Sequence, residues 1–269
     1  MGHWYNKSGE PNHTQLLKRP RKDGSTERDT DLRDARKLGL CPSFSGITDI
    51  VAKRQIEKWR MDRRDEAWLE AIEQNNLDLV DDIYKSRITK QRDEGTRVHN
   101  LIEQYLKGEW DSYTMSVYDD DTCADWTIAD AVALALESLE PSFIADYKTK
   151  ACSKEEFEGL KLYPNHYQQL AAYREMILAQ QYMETKPYIE QTMVHPQLCY
   201  GGTVDYFHLE NISDGVKCYI IYVNTDFPGL VKVMEAPEDK LVKGLEEFKA
   251  TFELWKVLNN YDPASNNNG

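Results

Sequence analysis

The chain has 269 residues, 41% of them apolar, five cysteines and a net charge of −13. That length buries one sizeable core and suits one elaborated domain better than two. No run of roughly 18 or more apolar residues occurs, so no transmembrane helix is expected. The opening stretch MGHWYNKSGEPNHTQ is polar, so no secretory signal is expected either. Cys41, Cys123, Cys152, Cys199 and Cys218 are widely spaced with no CxxC, which argues against a disulfide framework, a zinc knuckle or an iron–sulfur cluster. A reducing cytoplasm is the natural compartment.

In chain order, residues 1–37 are polar and charged and predict a flexible arm. Residues 1–100 carry 20 Lys/Arg against 18 Asp/Glu, and the remainder 13 against 28, so the acidity lies in the C-terminal part. The run Lys18-Arg19-Pro20-Arg21-Lys22, followed by Arg33, Arg36 and Lys37, is locally basic. Phosphate binding needs such a footprint rather than a basic protein, and the run is either a solvated tail or a DNA-contacting arm. Residues 46–61 and 64–84 are expected as helices, with Trp59, Trp68, Leu69, Ile72 and Leu79 in the core. A helix over 93–106 carries Val98, Leu101, Ile102 and Tyr105 at helical spacing. Residues 108–125 are expected as a loop. Its Asp119-Asp120-Asp121 run is either a metal site or a solvated turn, since consecutive side chains do not converge on one ion. A short helix follows from Thr127 to Leu139, then a strand over 142–149 and a helix over 165–182. Three strands are expected over 188–195, 200–209 and 216–225, with Gly201-Gly202 and Ser213-Asp214-Gly215 as turn signals. Pro237 opens a last amphipathic helix striped by Leu241, Leu245, Phe248, Phe252 and Trp255, and the ending NNYDPASNNNG is unstructured in composition.

Four short patterns carry chemistry. In Asp146-Tyr147-Lys148-Thr149 the acid and the ammonium are two residues apart and project from one face of a strand. Phosphodiester hydrolysis uses such a pair: a carboxylate to hold Mg²⁺ or Mn²⁺, and an ammonium to orient the attacking water and offset developing charge. Isolated DxK pairs are mostly surface ion pairs. Asp205, in Gly201-Gly202-Thr203-Val204-Asp205, is a second oxygen donor of the kind a hard cation takes, or simply the end of a hairpin strand. His99, in Gly95-Thr96-Arg97-Val98-His99, shares a helix face with Glu103; a lone histidine there is more often structural. Gln169 and Tyr173, in Gln169-Leu170-Ala171-Ala172-Tyr173, share a face and could hydrogen-bond a phosphate or the lysine, or merely belong to an amphipathic helix.

Together GTxxH, DxKT, QLxxY and GGxxD resemble the RecB-like branch of the PD-(D/E)xK nucleases, as found in phage exonucleases. The stretch from Lys18 through PSFSGITDIV, and the ending DFPGLVKVMEAPEDKLVKGLEEFKATFELWKVLNNYDP, are similar to theirs, so the resemblance spans roughly residues 17–263. It implies an α/β fold: a PD-(D/E)xK core with a central mixed β-sheet flanked by helices and an N-terminal helical embellishment. The implied organisation is a basic arm over 1–37, one nuclease domain over 38–263 and a disordered tail over 264–269. It further implies His99, Asp205, Asp146 and Glu190 as metal ligands for one or two Mg²⁺ or Mn²⁺ ions. Lys148 would be catalytic together with Asp146 and Asp205, supported by Gln169 and Tyr173. Lys18, Arg19, Arg21 and Lys22 would meet DNA. Further partners would be a second copy of the chain or a phage recombination or replication protein.

One feature departs from that pattern. The family order is GTxxH, E…GGxxD, DxKT, QLxxY; here GGTVD comes last, and the strand after it, Ile220-Ile221-Tyr222-Val223-Asn224-Thr225, has Tyr and Asn where DxK would stand. Either the chain is a vestigial nuclease, or a β-hairpin over about 187–215 has moved along the sequence. Placing that block between Pro141 and Ser142 restores the order in one step, and a sheet depends on which strands are neighbours in space. The expected activity is metal-dependent DNA hydrolysis, with a non-catalytic DNA-binding protein and a structure-specific endonuclease as rivals.

Overall fold

A computed structural model of the chain describes residues 3–51, 54–109, 120–180, 186–210 and 215–265. Its centre is a five-stranded mixed sheet. The strands are β5 (Ser142–Lys150), β6 (Tyr188–Val194), β7 (Gly201–Leu209), β8 (Lys217–Asn224) and β9 (Val231–Glu235), in the order β6-β7-β5-β8-β9. Only β5 and β8 run parallel. Parallel neighbours need a crossover. Here the connection from β5 to β8 contains α6 (Lys154–Glu158), α7 (Pro164–Ala179) and the whole β6–β7 hairpin. That hairpin pairs on the far side of β5 through Ser142↔Leu209 to Ala145↔Tyr206. The strand ending in Asp205 therefore lies beside the strand carrying Asp146 and Lys148, although they are far apart in sequence.

Both central strands are apolar on each face, as strands covered on both sides must be. Ile144, Cys218, Ile220 and Tyr222 pack toward α7 and α8 (Glu238–Asn259) through Leu170, Ala171, Met176, Leu241 and Phe248. Phe143, Ala145, Tyr147, Tyr219, Ile221 and Val223 pack toward Val98 and Ile102 of α4 (Val80–Leu106) and Ile128 and Val132 of α5 (Asp120–Glu137). Pro237 is the N-cap residue of α8, and the stripe expected there is buried at Leu241, Phe248, Phe252 and Trp255.

The N-terminal stretch differs from a flexible arm. Strand β1 (Trp4–Tyr5) pairs with β4 (Cys41–Pro42), and β2 (Thr14–Leu16) pairs with β3 (Glu27–Asp29). Helix α1 (Leu32–Leu38) opens on a capping box between Asp31 and Asp34 and closes on Gly39 at φ 65°. Trp4 and Tyr5 are buried, and the Trp4 ring lies 6.2 Å from Trp255. Two aromatic anchors fix a segment whose average composition is polar. The C-terminal stretch is tied down likewise: Tyr261 is buried and its hydroxyl donates to the Leu40 carbonyl at 2.6 Å.

The helices differ in their bounds. After α2 (Phe44–Thr48), α3 (Arg54–Glu73) runs as one helix, and α4 continues through 93–106. The break falls at Asn75, at φ 51°, and Asn76, whose side chain accepts from the Asp78 amide. Gly95 does not end α4, because one internal glycine costs a helix only about 1 kcal/mol. Trp68, Leu69 and Ile72, expected in the core, are exposed, whereas Ala67, Ala71 and Val80 are buried between α3 and α4. Periodicity identifies a helix face but not whether anything covers it. Asp120 and Asp121 begin α5 rather than a loop; Asp119, residues 181–182 of the expected helix, and Ser213-Asp214 lie outside the described residues.

Gly244 sets the contact between α7 and α8. A Cβ there would stand 2.7 Å from the Tyr167 carbonyl carbon and 2.9 Å from the Gln168 nitrogen. Gly244→Ala raises helix propensity by about 1 kcal/mol, yet must push apart two backbones. It should lower stability by ~1–3 kcal/mol, read as a fall in the urea midpoint; an unchanged or higher midpoint would contradict this contact.

Candidate active site

The site forms where strand pairing lapses. The β5–β7 ladder ends at Ala145↔Tyr206, and the Tyr147 amide donates instead to Asp205 Oδ2 at 2.7 Å. Between β6 and β7, Ile189 pairs with Tyr206 and Gln191 with Val204, passing over Glu190 and Asp205. Glu190 sits at φ 48°, a left-handed conformation that costs a non-glycine residue about 1–3 kcal/mol and that persists where its surroundings enforce it. From α4, His99 Nδ1 approaches to 3.7 Å from Asp205 Oδ2 and 3.9 Å from Glu190 Oε1. One donor atom from each of His99, Glu190 and Asp205 lies within 4.8 Å of the others.

Asp146 and Lys148 stand beside this trio. Asp146 is buried; its Oδ2 is 2.5 Å from Lys148 Nζ, and its Oδ1 accepts from Gln169 Nε2 at 2.8 Å. Gln169 Nε2 also reaches the Tyr173 hydroxyl at 3.3 Å. Asp146 is thus tied to the ammonium and the amide rather than being a member of the compact trio.

The charges strain one another. Burial, then the Asp146 and Glu190 charges, push Asp205 up to about 8, against the pull of His99 and Lys148. Burial opposes charge on His99, but Glu190, Asp205 and Asp146 raise it above its ordinary value. Lys148 behaves alike: burial works against the ammonium, and Asp146 and Asp205 more than compensate. Glu190 Oε1 is buried without a hydrogen-bond partner among the described residues. An orphaned carboxylate oxygen beside a second carboxylate and an imidazole is a donor set that could hold a metal ion.

Glycines in the motifs make room for residues of other motifs. A Cβ on Gly95 would meet Thr149 Oγ1 at 3.1 Å, so α4 runs close over the end of β5. A Cβ on Gly202 would lie 2.8 Å from the Tyr173 ring, and one on Gly201 2.7 Å from the Tyr5 ring. Sequence reasoning did not anticipate Tyr5 here, because its contact partner is nearly two hundred residues away in the numbering. Nor did it single out His166, whose pKa is lowered to about 4, chiefly by burial and then by Lys148. Its Nδ1 lies 3.3 Å from the Tyr222 hydroxyl.

On β8, Tyr222 donates to the Lys161 carbonyl at 3.0 Å. Asn224 donates to the Cys152 carbonyl at 2.9 Å and accepts from the Asp226 amide at 2.9 Å. These two side chains hold loops. Lys18, Arg19, Arg21 and Lys22 are exposed in the turn that joins β2 to β3, closed by the Leu17 amide on the Thr26 carbonyl at 2.8 Å and by Gly24 at φ 84°. No protein-family model matches the chain, and no curated protein is significantly similar to it.

The pKa of Asp205 predicts how the metal-free protein responds to pH. Its folded value, about 8, lies above the ordinary 3.8, so folding favours the protonated form. The stability this group contributes is full below pH ~4 and is lost as pH rises to ~8. Asp205→Asn keeps an acceptor for the Tyr147 amide and removes the charge. The melting temperature of the metal-free variant should fall less between pH 5 and 8 than that of the wild type. Equal falls would remove Asp205 as the source.

Proposed function

We propose that this chain is a divalent-metal-dependent DNA nuclease with a PD-(D/E)xK core, an exonuclease of the kind its motifs resemble. One observation carries the reading: β7 lies against β5 so that Asp205 takes the Tyr147 amide, one residue from both Asp146 and Lys148. That is the neighbourhood expected if the GGTVD hairpin moved in sequence but not in space.

Each residue then has a task. Glu190, Asp205 and His99 would hold Mg²⁺ or Mn²⁺, which when bound stabilises charge on a phosphoryl oxygen and acidifies water. Lys148 places a positive charge where negative charge develops on the scissile phosphate. Asp146 orients that ammonium and can serve as a further oxygen donor on the ion's side. Gln169, backed by Tyr173, fixes Asp146. The basic turn of Lys18, Arg19, Arg21 and Lys22 offers phosphate contacts on a chain whose net charge is −13. A host cytoplasm is the compartment that fits.

The test is digestion of linear and covalently closed DNA with and without Mg²⁺. Metal-dependent loss of linear DNA only is expected. Nicking or cutting of the closed circle would make the protein an endonuclease, and binding without cleavage a non-catalytic one. Lys148→Ala should lose at least ~10²-fold in rate, as for other single electrostatic groups. Asn224→Ala, assayed below its melting temperature, should keep most activity. A Lys148→Ala protein digesting DNA at near wild-type rate would refute the assignment, and equal losses in the two variants would point to the wrong strand.

A further inference from the structure

Beside the site, a cleft of about 970 Å³ opens between the two-helix arm of α3 and α4 and the C-terminal end of β5. Five Lys/Arg and three Asp/Glu line it, in a chain that is acidic overall. Its lining includes Thr149 and Lys150, immediately after Lys148 in the same strand. Lys150 therefore stands about 7 Å beyond Lys148 along the strand, at ~3.3 Å per residue, and projects on the same side.

Three features of the lining remain unexplained by folding. Lys90 and Lys150 have exposed surface and form no ion pair among the described residues, whereas most neighbouring cations of α3 and α4 are paired. Partial burial lowers the Lys150 pKa, and a phosphate would stabilise that ammonium. Arg63 meets Glu66 at 2.6 Å, but its Nε is buried and donates to nothing among the described residues. Trp59 presents a half-buried indole to the cleft from α3, on a helix where Trp68, Leu69 and Ile72 face away into solvent. A flat aromatic among unpaired cations is the combination that binds unpaired nucleotides: bases stack on the ring regardless of sequence, and ammonium groups follow the phosphates.

We propose that this cleft holds a single-stranded nucleic-acid segment adjoining the scissile phosphate, with a base stacked on Trp59 and phosphates on Lys90 and Lys150. This rests on the nuclease reading and goes beyond it, assigning a strand-binding track to the α3–α4 arm. The base on Trp59 would be an unpaired one, so a duplex would engage the cleft only after its end has opened.

The experiment is anisotropy of a fluorescein-labelled oligothymidylate with the full chain in EDTA, where hydrolysis does not intervene. Trp59→Ala should weaken binding about 30-fold, the middle of the range for one stacked base. Trp59→Phe, which keeps a ring, should restore most of it. Lys90→Ala with Lys150→Ala should lower the slope of log affinity against log salt by about 1.4, at about 0.7 for each lost contact with a single strand. Both lysines are exposed, so this second variant gives a result even if Trp59→Ala does not fold. Unchanged affinity and slope would overturn the proposal, as would no oligothymidylate binding by the wild type, or an equal dependence of blunt duplex binding on Trp59. A wild type that binds through Trp59 but cleaves no DNA with Mg²⁺ or Mn²⁺ would remove the nuclease reading alone. Cleavage with binding indifferent to Trp59 would remove the cleft alone.

Discussion

Three carboxylates gathered where a sheet stops pairing impose the main constraint on this structure. Glu190, Asp205 and Asp146 come from three neighbouring strands, and two of the three are buried. Like charges in low dielectric repel strongly, and the folded chain answers in several ways. Lys148 pairs with Asp146, His99 leans toward Asp205 and Glu190, and the Tyr147 amide leaves the ladder to donate to Asp205. The compensation is incomplete, since Asp205 is driven to about 8 and one Glu190 oxygen has no donor among the described residues. A left-handed Glu190 adds backbone strain at the same point. Strain and unbalanced charge held together by the surrounding core are the observations on which the proposed metal site rests.

The remainder of the fold serves to hold that point. The α7–α8 layer closes on Gly244, so Gln169 reaches Asp146 from a fixed distance. On the opposite face α4 passes close over Thr149 because Gly95 has no side chain, and this brings His99 to the edge of the trio. The N-terminal strand places Tyr5 over Gly201, bracing the start of β7. A hairpin inserted in the crossover between β5 and β8 can then supply Asp205, because adjacency in a sheet is set by hydrogen bonding rather than by chain order.

Much of this was legible in the sequence, and the failures have physical causes. The two central strands announce themselves as continuous apolar runs, and α8 by its aromatic stripe. The juxtaposition of Asp146, Lys148, Asp205, His99 and Gln169 followed from motif types once the hairpin was moved as a block. Trp68, Leu69 and Ile72 were misjudged because a helical period carries no information about what lies opposite. Residues 1–37 were misjudged because composition averages over Trp4 and Tyr5, the two residues that anchor them. The left-handed Glu190 and the division between a compact trio and an Asp146–Lys148–Gln169 group depend on local backbone geometry, which single-sequence patterns do not encode.

The most direct measurement is anomalous diffraction from crystals of the wild-type protein soaked in Mn²⁺. A single strong peak, or a pair ~3.5–4 Å apart, should lie in coordination contact with Asp205, Glu190 and His99 and on the Asp146 side of β7. Ordered crystals with no peak there, or with manganese held only by residues elsewhere, would contradict a metal centre at the break in the sheet.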